Sequence, residues 1–458
     1  MTLSPLPLPL ALLALASLAA LPVARAQAAN DAAAARLAQA AGSDAAPELA
    51  RRPGARAFRP VFKWGVDGVL AEFGAFPDAP EADYQAALRA TPYLLWQPAR
   101  EWEFRAGARI EGSDQGGGAA SFNRWRAELG DTYARYRSGD TRLTIGAQTI
   151  VWGRVDEIPL IDRASRADLT RFALDDLAER RLALPALRWE QSAGDFKLDA
   201  VLLPAFRGAA LPDLRSVWSP INRHTGEVLG IAPSPGLAAF VQAAQLRRGD
   251  DGSGGAAVRL TRSGGGAVDL GLTLARTRQS LPYFQADPAA MTLTAVHPHV
   301  RFAGLDAELA TGTVTWRTEL GWSDGVPVTR ASGQMLSSKV LEWVGAMEFF
   351  PGGEDTRVNL QLAARTVRTS QPIKELKEYL ALNGEVESSF GQGRWKAGVR
   401  FNLGLNVRDV YLAPKISYLG WEPHEIYLAA HLFDGEQRTI GGFHKRHDMI
   451  AVGLKTRF

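Results

Sequence analysis

The stretch "GRVDEIPLIDRASRADLTRFALDDLAERRLALP" interleaves charges of both signs. Arg154, Asp156, Glu157, Asp162, Arg163, Arg166, Asp168, Arg171, Asp175, Asp176, Arg180 and Arg181 all fall within it. Guanidinium and carboxylate groups held across a narrow passage create a transverse field that sorts solutes by charge and dipole. Left in water on a solvated surface loop, the same groups pair with near neighbours, Asp176 with Arg180 for example, and do little else. The apolar residues among them, including Ile158, Leu160, Ile161, Phe172 and Leu174, need a surface to pack against, which favours an inward-folded arrangement over 154–184.

A second charged set stands at alternate positions. Arg105, Arg109, Arg124, Arg126 and Arg142 occur with Glu103 and Glu128, and Arg357, Arg365, Lys396 and Arg400 follow later. Guanidiniums aligned along a passage form a relay that lowers the electrostatic cost of moving an anion, and strand order predicts the first five side by side. The competing reading is cross-wall ion pairing that only stiffens the structure, with Asp306, Glu319, Glu342 and Glu348 among the available partners. Enzymatic chemistry has little support, since HExxH, a Walker loop and CxxC are all missing. The histidines are dispersed, so neither catalytic residues, a metal nor a cofactor is expected; Asp250 and Asp251 alone are a weak calcium signal.

The elements that must position these charges are strands. In "RVNLQLAART", Val358, Leu360 and Leu362 alternate with Arg357, Asn359 and Gln361. The final ten residues, "MIAVGLKTRF", set Ile450, Val452, Leu454, Thr456 and Phe458 against Ala451, Gly453, Lys455 and Arg457. Period-2 alternation of this kind belongs to a strand with one face in an apolar medium and the other in water. The pattern recurs often enough to predict an all-β chain forming a single transmembrane antiparallel β-barrel of about 18 strands, 16 to 18 being the expected range. Short turns such as "RSGD", "QSAGD" and "GQG" alternate with long connections at 154–184, 207–254, 280–297, 325–338 and 434–447, which fits periplasmic turns and extracellular loops. A short link at 406–409 is the exception on the long-loop side. Within 207–254, "GLAAFVQAAQL" reads as a helical turn or two, or as an extra strand. Aromatics near strand ends, Trp96, Trp102, Trp152, Trp322, Phe349, Phe350, Trp395 and Trp421, read as interfacial girdles.

The chain has 458 residues, no cysteine and a formal net charge of +3. With its charges interspersed it shows no nucleic-acid footprint. An apolar run from Leu8 to Val23 precedes the small-x-small site Ala24-Arg25-Ala26, so 1–26 reads as a signal peptide. An Ala-rich periplasmic tail at 27–60 and the barrel at 61–458 follow.

The last strand, with Val452, Leu454 and Phe458 counted back from the end, resembles the C-terminal assembly signal of Gram-negative outer-membrane porin-like barrels. The segments "IVWGRVDEIPLIDRASRADLTRF" and "LRSVWSPINR" resemble a family of uncharacterised proteobacterial outer-membrane barrels, a domain of unknown function. The resemblance implies an outer-membrane location, surrounding lipid and lipopolysaccharide, and contact with the barrel-assembly machinery during biogenesis. It makes the expected function passive diffusion of small polar or anionic solutes through a channel narrowed by the 154–184 loop. The alternative is an outer-membrane transporter of lipids or hydrophobic compounds working with a periplasmic partner.

Overall fold

Side chains that alternate in polarity need two media, and an antiparallel sheet closed on itself supplies both without an unpaired edge. The computed structural model describes residues 58–249, 252–264 and 268–457. The signal peptide, nearly all of the 27–60 tail, Asp250, Asp251 and Phe458 lie outside the described residues.

Eighteen strands form the barrel. They are β1 (Val61–Ala75), β2 (Tyr84–Gln97), β3 (Trp102–Gly116), β4 (Phe122–Leu129 continued by Thr132–Ser138), β5 (Thr141–Gln148) and β6 (Leu184–Ala193). Next come β7 (Phe196–Leu203), β8 (Gly255–Arg262), β9 (Val268–Arg278), β10 (His299–Thr311), β11 (Val314–Thr329) and β12 (Met335–Phe349). The last six are β13 (Thr356–Arg368), β14 (Glu378–Phe390), β15 (Trp395–Gly404), β16 (Asp409–Trp421), β17 (His424–Gly435) and β18 (Met449–Arg457). Each pairs antiparallel with its neighbours in the chain, and β1 closes on β18 from Gly68 opposite Arg457 to Ala75 opposite Ile450. The break in β4 at Gly130 and Asp131 lets its two segments pair with different halves of β3.

The two rows of each strand meet the expected media. On β9, Leu270, Leu272 and Leu274 all point outward and exposed, while Thr273 between them is fully buried. Each such leucine would forgo about 1.5–3 kcal/mol of burial if left in water, so a closed belt of them calls for lipid. On β18, Ile450 and Val452 are exposed, Leu454 is half-buried, and Lys455 is buried on the inner row. At the short-turn end Trp96, Phe104 and Trp102 stack with ring centroids 5.2 and 5.8 Å apart, and Trp395 lies 4.9 Å from Tyr418. Trp152 does not join a girdle: it is buried at the root of the inward loop, donating its indole N–H to Asp199 at 2.8 Å. Its place just past a strand end looks the same in sequence whichever way the chain turns next.

Tight turns close the short-turn end. Gly194 and Gly312 sit at φ +56° and +58°, a conformation that costs glycine least. The long connections gather at the other end, and the link between Gly404 and Asp409 stays short there. "GLAAFVQAAQL" forms helix α1 (Pro235–Ala243), capped by the Ser234 hydroxyl accepting from the Leu237 N–H, with Pro235 in its first turn. After α1, Gln245–Arg248 runs parallel to Thr292–Val296, which pairs with Tyr283–Asp287 in a small sheet separate from that of the barrel. A one-turn helix α2 (Ile440–Phe443) lies in the last long connection. Among the described residues no helix is long and apolar enough to cross a membrane.

Candidate functional site: a charged loop clamped inside the barrel

The connection after β5 enters the bore because its backbone finds acceptors there. Glu319 of β11 is fully buried and takes four backbone N–H groups of this loop. Arg154 and Val155 donate to one carboxylate oxygen at 2.5 and 3.2 Å, and Leu160 and Ile161 to the other at 2.6 and 3.1 Å. Asp162 closes the same turn by accepting from the Trp152 and Gly153 N–H groups at 2.7 and 2.6 Å and pairing with Arg181. Ile161 packs with Trp152, Val201 and Phe302, and Leu160 with Val344 and Ala363, so the apolar residues of the loop cover the inner wall.

Beside that anchor the loop pairs with β10 and β12, and further along it reaches β4 and β1. Arg154 pairs with Asp306, and Arg163 pairs with Glu342 at 3.0 Å while lying 4.1 Å over the Phe302 ring. Arg166 reaches Glu128 at 2.9 Å. Asp168 accepts from Arg126 at 2.8 Å and lies in ion-pair contact with Arg109 at 2.9 Å. Arg171 binds Glu72 of β1 at 2.7 Å and Asp175 at 2.8 Å, and Asp175 also pairs with Arg89. Burial would raise the Asp175 carboxyl, yet Arg89 and Arg171 hold it well below its ordinary range. These groups make one continuous buried network joining the loop to β1, β2, β3 and β4.

Facing β13, β15 and β18 the polarity is one-sided, with acids on the loop and bases on the wall. Asp156 meets Arg357 at 2.9 Å, Asp176 meets Lys455 at 3.2 Å and Arg400 at 3.5 Å, and Glu179 meets Lys455 at 3.3 Å. Glu157 and Arg180 are 3.6 Å apart, and burial pushes the Glu157 carboxyl above its ordinary value against the pull of Arg400 and Arg180. These pairs set up a local field directed from wall to loop.

The loop divides the lumen into two polar spaces. On the long-loop side is a vestibule of about 1000 Å³; on the other is a chamber of about 390 Å³ lined by acids and bases of both loop and wall, among them Arg171 and Arg181 of the loop and Glu385, Glu387 and Glu425 of the wall. No residue lines both. A void of about 30 Å³, the share of one water in the liquid, lies between them. It touches Arg124, Arg126 and Asp213 of the vestibule and Arg171 of the chamber. Ala87, Leu88, Phe122 and Pro212 also line it, so the seam has a charged side and an apolar side.

All twelve charged residues singled out in the loop thus lie within the barrel, each with a partner. The wall residues are distributed differently from a relay of five adjacent arginines. Register sets Glu103 opposite Arg135, Arg109 opposite Glu128, Glu111 opposite Arg126 and Arg142 opposite Glu190, so these four cations each face a carboxylate across the ladder, whereas Arg105 lies opposite Tyr133 and Arg124 opposite Ser113. Arg109 and Arg126 clamp the loop, Arg105 pairs with Asp67, and Arg142 lies 3.3 Å from Glu190. Arg124 faces the vestibule, with no carboxylate within ion-pair distance among the described residues. Arg365 lies 3.6 Å from Glu342 and Lys396 2.9 Å from Glu387.

Sequence reasoning missed the anchoring role of Glu319, which only its position opposite the loop root reveals. It also missed a cluster at the outer mouth. His444 is fully buried with its Nδ1 2.9 Å from His447 Nδ1; His447 Nε2 lies 3.3 Å from Glu81, which accepts from Asn222 at 2.9 Å. Trp218 packs against both histidine rings and Phe433. Burial raises the Glu81 carboxyl, but the hydrogen bonds from His447 and Asn222 outweigh it and hold it at about 2; burial pushes His444 well down. The stretch "GWSDG" at 321–325 spells G-x-S-x-G, but Ser323 is fully buried within β11, with no hydrogen-bond partner among the described residues. A nucleophile elbow needs a strand-to-helix turn, and β11 instead runs on to Thr329.

Residues 63–387 match the family described as a protein of unknown function (DUF1302). No curated protein matches the chain. Among solved structures it is similar to OccK5 (OpdH) of Pseudomonas aeruginosa, at 9% identity and a TM-score of 0.50, covering 87% of this chain and 97% of that one. OccAB1 of Acinetobacter baumannii is similar at the same identity and TM-score, over 87% and 96% of the two chains. At this identity the likeness is one of fold.

Proposed function

We infer that this chain, which belongs to the DUF1302 family and closes an 18-strand barrel of the porin kind, is a channel in the outer membrane of a Gram-negative bacterium. Small polar or anionic solutes pass it by diffusion, and the 154–184 loop is its constriction. The observation that carries this reading is the seam between two charge-lined cavities: a small void bounded by Arg126, Thr170 and Arg171 on one side and by Leu88 and Phe122 on the other. Ion-paired side chains can exchange partners with water and a passing solute, whereas an apolar plug cannot. The charged linings of both cavities do not favour a lipid or another hydrophobic cargo. The outward rows point to outer-membrane lipid and lipopolysaccharide as the surroundings, and the outward Val452 and Leu454 support recognition of the last strand by the assembly machinery.

Single-channel recording of the refolded barrel in planar bilayers, under a salt gradient, tests this. Small stable conductance steps with a reversal potential leaning to anions are expected. Asp176→Asn, which removes a loop acid facing Lys455 and Arg400, should move that potential further toward anions. Silence from a barrel shown to be folded by heat-modifiable gel migration would reject the channel.

A further inference from the structure

The vestibule has a charge balance unlike the rest of the lumen. Eight arginines and three carboxylates line it, whereas the chamber beyond the loop is evenly matched. The three carboxylates are already engaged. Glu128 pairs with Arg166 at 2.9 Å and Arg207 at 3.2 Å. Asp213 pairs with Arg215 at 2.9 Å, and Glu81 is held by His447 and Asn222. Arg124 projects from the barrel wall, and Arg247 and Arg248 from the separate small sheet. Among the described residues none of these three has a carboxylate within ion-pair distance. Beside them Phe206, Leu211, Leu214 and Pro282 give the cavity an apolar side.

Guanidiniums in excess of the described carboxylates repel one another, and an anion that enters relieves this while its carbon skeleton covers the apolar side. Because arginines come from two separate elements, a ligand bearing negative groups at both ends satisfies more of them than a single carboxylate does. We propose that the vestibule is a binding site for organic anions carrying two or more carboxylates, placed ahead of the constriction. This deepens the channel reading and rests on it for its role in uptake, but binding itself is separable from conduction.

The test is calorimetric titration of the refolded full chain in detergent with citrate as the probe and acetate as the single-charge comparison. Citrate should bind at least about tenfold more tightly than acetate, and more weakly as salt rises. The exposed pair changed together, Arg247→Gln with Arg248→Gln, and separately Arg124→Gln, should each weaken citrate about tenfold or more while leaving heat-modifiable migration intact. Citrate binding no tighter than acetate, or unaltered in both variants, would overturn the site. Bilayer recordings on the same preparation separate the two ideas. Conductance without tight citrate binding removes the vestibule site and leaves the channel standing; citrate binding on a silent barrel upholds the site and removes the channel.

Discussion

Changing Glu319 to glutamine asks whether the inward loop is held by the hydrogen bonds that the structure places at its root. The substitution preserves volume and keeps one oxygen, which can still accept two of the four N–H groups. The amide nitrogen that replaces the other oxygen is a donor facing donors, so two buried backbone N–H groups lose their partner. At about 1–3 kcal/mol for each unsatisfied buried group, the anchored state loses about 2–6 kcal/mol relative to a released one. With about 1.4 kcal/mol for each factor of ten, released loop should become roughly 30-fold to ten-thousand-fold more populated. The barrel should survive, because the ladder hydrogen bonds of β11 to β10 and β12 involve only backbone. Planar-bilayer recording should show larger and noisier conductance steps, and trypsin should cut after Arg154 or Arg163 where the wild-type loop resists. A folded Glu319→Gln barrel with wild-type conductance and wild-type resistance would refute the idea that this carboxylate sets the constriction.

Two further outcomes follow from the same geometry. Asp175→Asn takes one carboxylate from the buried Arg89 and Arg171, which keep Glu111 and Glu72, so the loop-to-wall network should lose less than the cost of a fully unpaired buried charge, about 3–5 kcal/mol, read as a lowered urea midpoint of the barrel in lipid. The outer-mouth cluster should loosen in acid. His444 is held below its ordinary 6.5, so the released loop takes the proton first; its contribution is complete above that value and declines as pH falls below it. Glu81, at about 2 in place against an ordinary 4.5, adds a second loss between those two values. The protection factors of residues 436–448, with the intrinsic pH dependence of amide exchange divided out, should therefore be constant at neutral pH and fall below about 6.5. Protection that stays flat down to 4.5, the ordinary Glu value, would show that His444 is not a buried neutral group.

The barrel was readable in the sequence because lipid and water impose the same two-residue alternation on every strand, whatever its neighbours. The rows Ile450, Val452 and Leu454 against Ala451, Gly453 and Lys455 needed no partner to be recognised, and alternation of short and long connections, with the exception at 406–409, set the strand count. The inward loop was also foreshadowed, since Leu160, Ile161 and Leu174 beside so many charges demand a wall. What no local pattern contains is which charge meets which. Register placed Glu128 opposite Arg109 and Glu111 opposite Arg126, turning an expected row of cations into alternating pairs. Closure of the barrel brought Glu72 near one end of the chain to Arg171 and Tyr427, and set Glu319 beneath a loop root more than a hundred residues away. Ion pairs and hydrogen bonds act over a few ångströms between residues far apart in the chain, so the tertiary structure alone decided them. The same holds for the vestibule, where arginines from β4 and from a separate small sheet come together only because the long connections fold over one mouth.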